Sequence, residues 1–457
     1  MKRNSILALL IVAVLLTACA PAAPAATAPQ EETGGLLAEA SYPEMAPYPD
    51  EMSFVDEKTG EFDSEGFDEV YTAWREDRNN QYNQPVGYAD GLNAFFQTSM
   101  PQFLAGQPGE NAVCSPLNLY MALALLAEVT EGETRQQVLD LLNAAGIDAL
   151  RTQAGHVWNA HYCADSASTC TLANSVWMDS GLGYDGSVLD TLKNQYYASA
   201  FQGDLGTEEM DKLLQDWINE QTGGLLEEQA QNLHMDPATV FALASTIYYR
   251  AKWTNEFWEE ANTEDVFHGT AGDVTATYMN SCLTYGPYYW GEDFGAVSLG
   301  LEDGSKMWLI LPDEGLTSES ILASGHALDL ILGNPYESEN QKSLRVNLSL
   351  PKFDIAADRK LNDALKTLGI TDVFDPESAE FSLIQTEDSC WLDSVDHAAR
   401  VAIDEEGVTA AAYTVMMMCG AAMPPEDEMD FILDRPFLFV ITSRDNLPLF
   451  AGEVNQP

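Results

Sequence analysis

Seventeen consecutive residues near the carboxyl end, Gly407 to Met423, carry neither a charge nor a proline, in a chain of which 20% is Asp, Glu, Lys or Arg. Such a run is fit to enter a sheet. A central strand donates hydrogen bonds on both edges, which bars proline, and its core-facing residues must be small or apolar. Strand alternation puts Val408, Ala410, Ala412 and Thr414 on one face and Thr409, Ala411 and Tyr413 on the other, with Gly407 as the pivot. The preceding Val401 to Ile403 reads as a strand. The alanines and Met416 to Met418 equally permit a buried helix, so pattern alone leaves the two open.

The remaining composition is that of a globular chain, 46% hydrophobic, with 457 residues to build a core. Its charge is lopsided. Lys and Arg number 21 against 72 Asp and Glu, a net of -51, which repels phosphate backbones and anionic headgroups and excludes nucleic acid as a partner. Solubility is the plain reason for so many acids.

Lys2 and Arg3 precede eleven apolar residues, Ile6 to Leu16, too short to span a bilayer and shaped like an export signal, residues 1–18. Leu16-Thr17-Ala18-Cys19 then resembles the lipobox of bacterial lipoproteins, in which the cysteine is acylated; a lipid on Cys19 would hold the chain on the outer face of a membrane. Ala20 to Pro29 holds only Ala, Pro and Thr, so residues 19–40 read as a flexible tether. Residues 41–87 form an acidic, aromatic prefix for which a strand or short helix laid on the main body is expected. Periodic structure opens near Tyr88 with Leu92, Phe95 and Phe96, and no second linker follows, so 88–457 is one domain.

Beyond Cys19 the six cysteines are too few and scattered to build a disulfide framework. Cys163 and Cys170 flank a small polar loop, and in an exported chain they either close a local bridge or stay buried and reduced. His156 and His161 lie near, but the spacing fits no common zinc pattern, and no metal or cofactor is expected. The common hydrolase, zinc-protease and nucleotide-loop motifs are absent from the sequence. Gly181-Leu182-Gly183-Tyr184-Asp185-Gly186 satisfies G-x-G-x-x-G, yet Asp179 and Asp185 bring negative charge where a pyrophosphate must sit. A glycine-rich turn is expected instead, and the chain is not expected to be an enzyme.

Glu405-Glu406-Gly407 followed by Thr409-Ala410-Ala411-Ala412 resembles the hinge of the serpins, inhibitors that use a mobile reactive-centre loop. Other segments agree in order: Asn111 to Pro116 with Thr134, Trp217-Ile218-Asn219 with Thr222-Gly223, and Phe241 to Tyr249 with Trp253 and Phe257. They continue with Leu350-Pro351-Lys352-Phe353, Arg435-Pro436-Phe437 and Gly452 to Asn455. The resemblance covers about Tyr88 to Pro457. It implies an α+β fold in which a large mixed sheet and smaller sheets are surrounded by helices, with the loop exposed. Val408 stands where the family's inhibitors usually carry Thr or Ser; uncharged and β-branched, it should still insert. Asn118 and Ser245 depart together, as though amide and hydroxyl had changed places in a shutter network with Ser115 and His397.

The resemblance further implies that a serine protease attacks the loop, forms an acyl-enzyme, and is carried off when the loop enters the main sheet. Insertion of Val408 to Ala421 would move it by roughly 45 Å at about 3.3 Å per residue. The family's usual loop length puts the cleaved bond at Ala421-Ala422, which suits a protease with a small primary pocket, elastase-like or subtilisin-like. A monomer is implied. The alternative is a non-inhibitory member of the family that binds or scaffolds.

Overall fold

Leu117 to Val129 is apolar almost all round, and a helix of that kind must lie inside a protein. In the computed structural model the helix Pro116–Val129 is buried at every residue but Ala122. Ser115 caps it, its Oγ accepting from the Asn118 N–H at 3.3 Å, and Pro116 occupies the first turn, where no N–H is needed. The structure describes residues 35–56, 58–106, 109–165, 168–237, 239–333, 338–385, 390–392, 395–408 and 427–457. Residues 36–457 form one compact unit.

Across this helix lies the main sheet, eight-stranded among the described residues. Its strands are β1 (Leu36–Ala38), β2 (Cys163–Ala164), β3 (Thr169–Asp179), β4 (Ala198–Gly203), β5 (Phe241–Lys252), β6 (Phe353–Lys360), β7 (Asp396–Ile403) and β8 (Gly407–Val408). The order is β1-β4-β3-β5-β8-β7-β6, with β2 paired to β3. β3 is parallel to β4 and antiparallel to β5, which makes the sheet mixed. A second sheet, nine-stranded among the described residues, runs from an edge at Glu428–Ile432 through Gln341–Pro351 and Gly272–Trp290 to Phe437–Thr442, Pro448–Val454 and Ala112–Cys114.

The amino-terminal part departs from expectation in two ways. The tether ends early, because Leu36 and Ala38 pair with Phe201 and Ala200 on the outer edge of β4. That edge offers unused backbone groups, and Leu36 gains a contact with the apolar cluster around Trp177 and Phe201. The prefix, in turn, forms a 19-residue helix, α1 (Ser64–Tyr82), much longer than a short piece laid on the surface. Asp63 caps it by accepting from the Gly66 N–H, and Phe67, Tyr71, Trp74, Arg78 and Tyr82 recur every three or four residues along one face. Arg78 ties that face to the body: its guanidinium carbon lies 5.2 Å from the Trp74 ring and 5.1 Å from the Tyr82 ring, and Nη1 pairs with the buried Asp165 at 3.2 Å.

The glycine-rich turn holds no phosphate-ready helix end. Asp185 caps the helix Gly186–Gln195 with its own carboxylate, accepting from Ser187 N–H at 2.8 Å, while Asp179 accepts from Gly181 N–H at 2.9 Å. Anionic oxygens fill the place that a pyrophosphate would need.

Candidate functional site: a strand position between two parallel neighbours

β5 pairs with β3 through ten registered pairs, from Thr169↔Arg250 to Met178↔Phe241. β7 pairs with β6 through eight. Between them, among the described residues, no registered pair joins β5 to β7 directly; the bridge is β8. Gly407 and Val408 pair antiparallel with Lys252 and Ala251, and Val408 also with Ile403. Only one end of the position is therefore filled by described backbone. The floor beneath is a cleft lined by Asn118, Leu123, Leu243, Ser245, Leu392 and His397, reaching the buried helix Pro116–Val129.

The filled end is held by an unusually dense set of contacts. Gly407 fits because it lacks a side chain: a β-carbon there would collide with the Ala251 carbonyl oxygen and lie 2.8 Å from Lys252 Cα. Asp404 makes the turn, its Oδ1 accepting from Glu406 N–H at 2.9 Å and Gly407 N–H at 3.1 Å. Trp253, only 2% exposed, donates its indole N–H to the Asp404 carbonyl at 2.8 Å and its backbone N–H to the Glu406 carbonyl at 2.9 Å. Glu405 is anchored by Lys352 Nζ at 2.5 Å and by the Asn262 amide. Burial pushes the Glu405 carboxyl up, but the bonds from Lys352 and Asn262 outweigh it and hold the group below the usual glutamate value.

The other end of the position contains the four residues expected to form a shutter. Ser245 Oγ lies 2.7 Å from Asn118 Oδ1, and Asn118 Nδ2 donates to the Ser245 carbonyl at 3.1 Å. Ser115 N–H donates to His397 Nε2 at 3.0 Å, and Ser115 Oγ donates to the Leu449 carbonyl at 2.6 Å. Since Nε2 accepts, the imidazole is neutral, and burial lowers its pKa to about 4. Amide and hydroxyl thus sit face to face, one on the helix and one on β5. A further member escaped the sequence reading: Asn174 on β3, whose Oδ1 is 2.8 Å from Ser245 Oγ and whose Nδ2 donates to the Tyr196 carbonyl. Its signal was a lone amide inside the apolar run Leu172 to Met178. Lys352, Asn262 and Asp404 were not picked out as partners of the hinge: nothing in the sequence links Lys352 or Asn262 to Glu405, and Asp404 reads as one more acid beside Glu405 and Glu406.

Thr409, Ala410, Ala411 and Ala412 of the expected hinge, the expected bond Ala421-Ala422, and Cys19 lie outside the described residues. The backbone on either side of 409–426 is described: it leaves from β8, within the main sheet, and rejoins at Glu428–Ile432, parallel to Gln341–Pro351 on the edge of the other sheet. Among the described residues no helix is long and apolar enough to cross a membrane, and no group of His, Cys, Asp or Glu is arranged to hold a metal ion.

Comparison with known proteins agrees over most of the chain. The family model for serpins, described as serine protease inhibitors, matches residues 90–457. The chain is 30% identical over 364 residues to alpha-1-antiproteinase of Callosciurus caniceps, covering 76% of this chain and 83% of that protein. It is 27% identical over 371 residues to Serpin-ZX of Arabidopsis thaliana, covering 76% and 92%. Among solved structures, the thermophilic serpin tengpin in its native state superposes with a TM-score of 0.73 at 24% identity, covering 82% of this chain and 95% of that one. Arabidopsis AtSerpin1 in its native stressed conformation gives 0.70 at 24%, covering 82% and 100%. The family match over residues 90–457, together with a main sheet whose strand position is filled by described backbone at one end only, makes this chain a member of the serpin family.

Proposed function

We propose that this serpin is an inhibitor that traps a serine protease as an acyl-enzyme by inserting residues 409 onward into the position between β5 and β7. The observation that carries this reading is the register of Val408. Because Val408 faces Ala251, continuing the ladder pairs 409 with Arg250 and so on to Met418 with Phe241. On the β7 side the same continuation runs to position 415, opposite Asp396. Every residue from Thr409 to Met418 is uncharged and none is proline, so the ladder meets no obstacle. Val408 is buried, so alternation sends Ala410, Ala412 and Thr414 toward the floor cleft, where small side chains fit.

From Val408 to Met418 the inserted strand would span about 33 Å at about 3.3 Å per residue. A protease bound a few residues further on, at Ala421-Ala422, would be carried the length of the sheet. Small residues at that bond favour an elastase-like or subtilisin-like target, because a narrow primary pocket admits Ala and excludes larger side chains. The protein acts as a monomer, exported and held by a lipid on Cys19.

Incubation with pancreatic elastase and with subtilisin tests the reading. A complex of inhibitor and protease that survives denaturing electrophoresis is expected with at least one of them. Cleavage of the loop by both, without any covalent complex, would favour the non-inhibitory alternative.

A further inference from the structure

Cys163 and Cys170 are assigned no part in loop insertion, yet the fold brings them together. They face one another as direct partners in the antiparallel pair β2–β3, so their side chains project from the same face. Directly opposed residues in such a pair have Cα atoms about 4.5 or 5.5 Å apart, according to the hydrogen-bonding pattern, and both values fall within the range a disulfide accepts. Both thiols are free in the structure, 2% and 5% exposed, and line one small cavity with Tyr82, His161 and Arg444. No metal-holding group occurs among the described residues, so ligation does not account for the pair.

We propose that Cys163 and Cys170 form a structural disulfide. One thiolate attacks a disulfide of a thiol oxidant, such as oxidised glutathione or a dithiol oxidoreductase, giving a mixed disulfide and one released thiol. The second thiolate displaces the other oxidant sulfur, so two cysteine protons are lost and the oxidant's disulfide becomes two thiols. Burial raises both thiol pKa values, with Asp165 adding to the effect at Cys163 and Cys163 adding to it at Cys170. Exchange in the folded chain is therefore slow, and the bond forms while the hairpin is still open during folding.

The bond would fix the surface on which the prefix lands. Between the two cysteines stand Asp165, which pairs with Arg78 and accepts from the Tyr48 N–H at 2.7 Å, and Ser168, whose Oγ accepts from Arg78 Nη2 at 3.0 Å. Immediately before Cys163, the Tyr162 carbonyl accepts from Gln81 Nε2 at 2.9 Å. Closing the hairpin thus holds the receptor for α1 in place.

The inference takes from the proposed function only an exported setting, which supplies the oxidant; redox buffers supply it in vitro, so failure there refutes the bond wherever the chain resides. Full-length protein is refolded in oxidising or reducing glutathione mixtures, quenched with acid, and alkylated in denaturant. Both cysteines lie on the tryptic peptide bounded by Arg151 and Lys193. In the oxidising buffer this peptide is expected to take up no alkyl group, and its pieces after cleavage before Asp165 stay joined until reduction. In the reducing buffer it takes up two. Two alkyl groups, or glutathione adducts on the separate thiols, in a buffer that already modifies the exposed Cys282 would overturn the proposal. The oxidised wild type should also melt about 2–5 °C above the reduced one, with no such difference in Cys163→Ala; equal melting of the two wild-type forms would deny the bond its structural role.

Discussion

His397 shows how one buried side chain can make the stability of the fold depend on pH. It accepts a hydrogen bond from Ser115 N–H through the nitrogen that would have to be protonated, in a site where it is only 5% exposed. Its folded pKa of about 4 lies below the unfolded value of about 6.5, so the unfolded chain binds the extra proton first. Stability from this group is whole above pH 6.5, falls as pH drops toward 4, and levels off below that, a loss of about 3 kcal/mol in all. His161 is buried and lowered in the same direction, so the comparison must be between wild type and His397→Gln. Between pH 7 and 4, denaturant titrations should show a total loss of stability about 3 kcal/mol smaller for the variant. Gly407 sets the other end. Gly407→Ala forces a β-carbon against the backbone of Ala251 and Lys252, and should cost about 1–3 kcal/mol by the same titration at pH 7.5.

Strands β5 and β7 are bridged by β8, which neighbouring chain segments hold in place. Lys352, at the head of β6, and Glu405, just before β8, join those elements by an ion pair that is 34% and 16% exposed, so its worth is about 1 kcal/mol after solvent screening. Glu405→Lys sets two ammonium groups together, and should lower the melting temperature and speed conversion to a form with the loop inserted. The double variant Glu405→Lys with Lys352→Glu should recover most of the loss; no recovery would mean that the pair contributes nothing specific. Elements also differ in how far they could be read from the chain. The spacing Phe67, Tyr71, Trp74, Tyr82 carries a helical face, but the high acid content around it reads as solvated prefix until a partner for Arg78 is known. That partner, Asp165, is 87 residues away. The same holds for β1, whose three residues have no pattern of their own and gain their conformation from the edge of β4.

At the scale of the molecule, the sequence made the domain legible because its motifs mark points where the backbone is sterically constrained, such as Gly407, or where a cap meets a buried helix, as at Ser115-Pro116. Asn118 and Ser245, read together in the sequence, do hydrogen-bond to one another. The length of the position was not legible, since only the register Val408↔Ala251 tells how many residues the sheet can receive. Continued along β5 from that register, the proposed insertion would take in ten further residues. At about 1 kcal/mol net per ladder hydrogen bond, their insertion adds on the order of 10 kcal/mol. For a chain of this size, unfolding entropy of about 2.1 cal/mol/K per residue converts that to roughly 10 °C in melting temperature. If the proposed insertion holds, the uncut form would be a metastable state kept by a barrier. Calorimetry on the intact chain and on the chain cut once between Cys419 and Met423 measures this directly: the cut form should melt about 10 °C or more above the intact one, whereas equal or lower melting would contradict entry of the segment into the sheet.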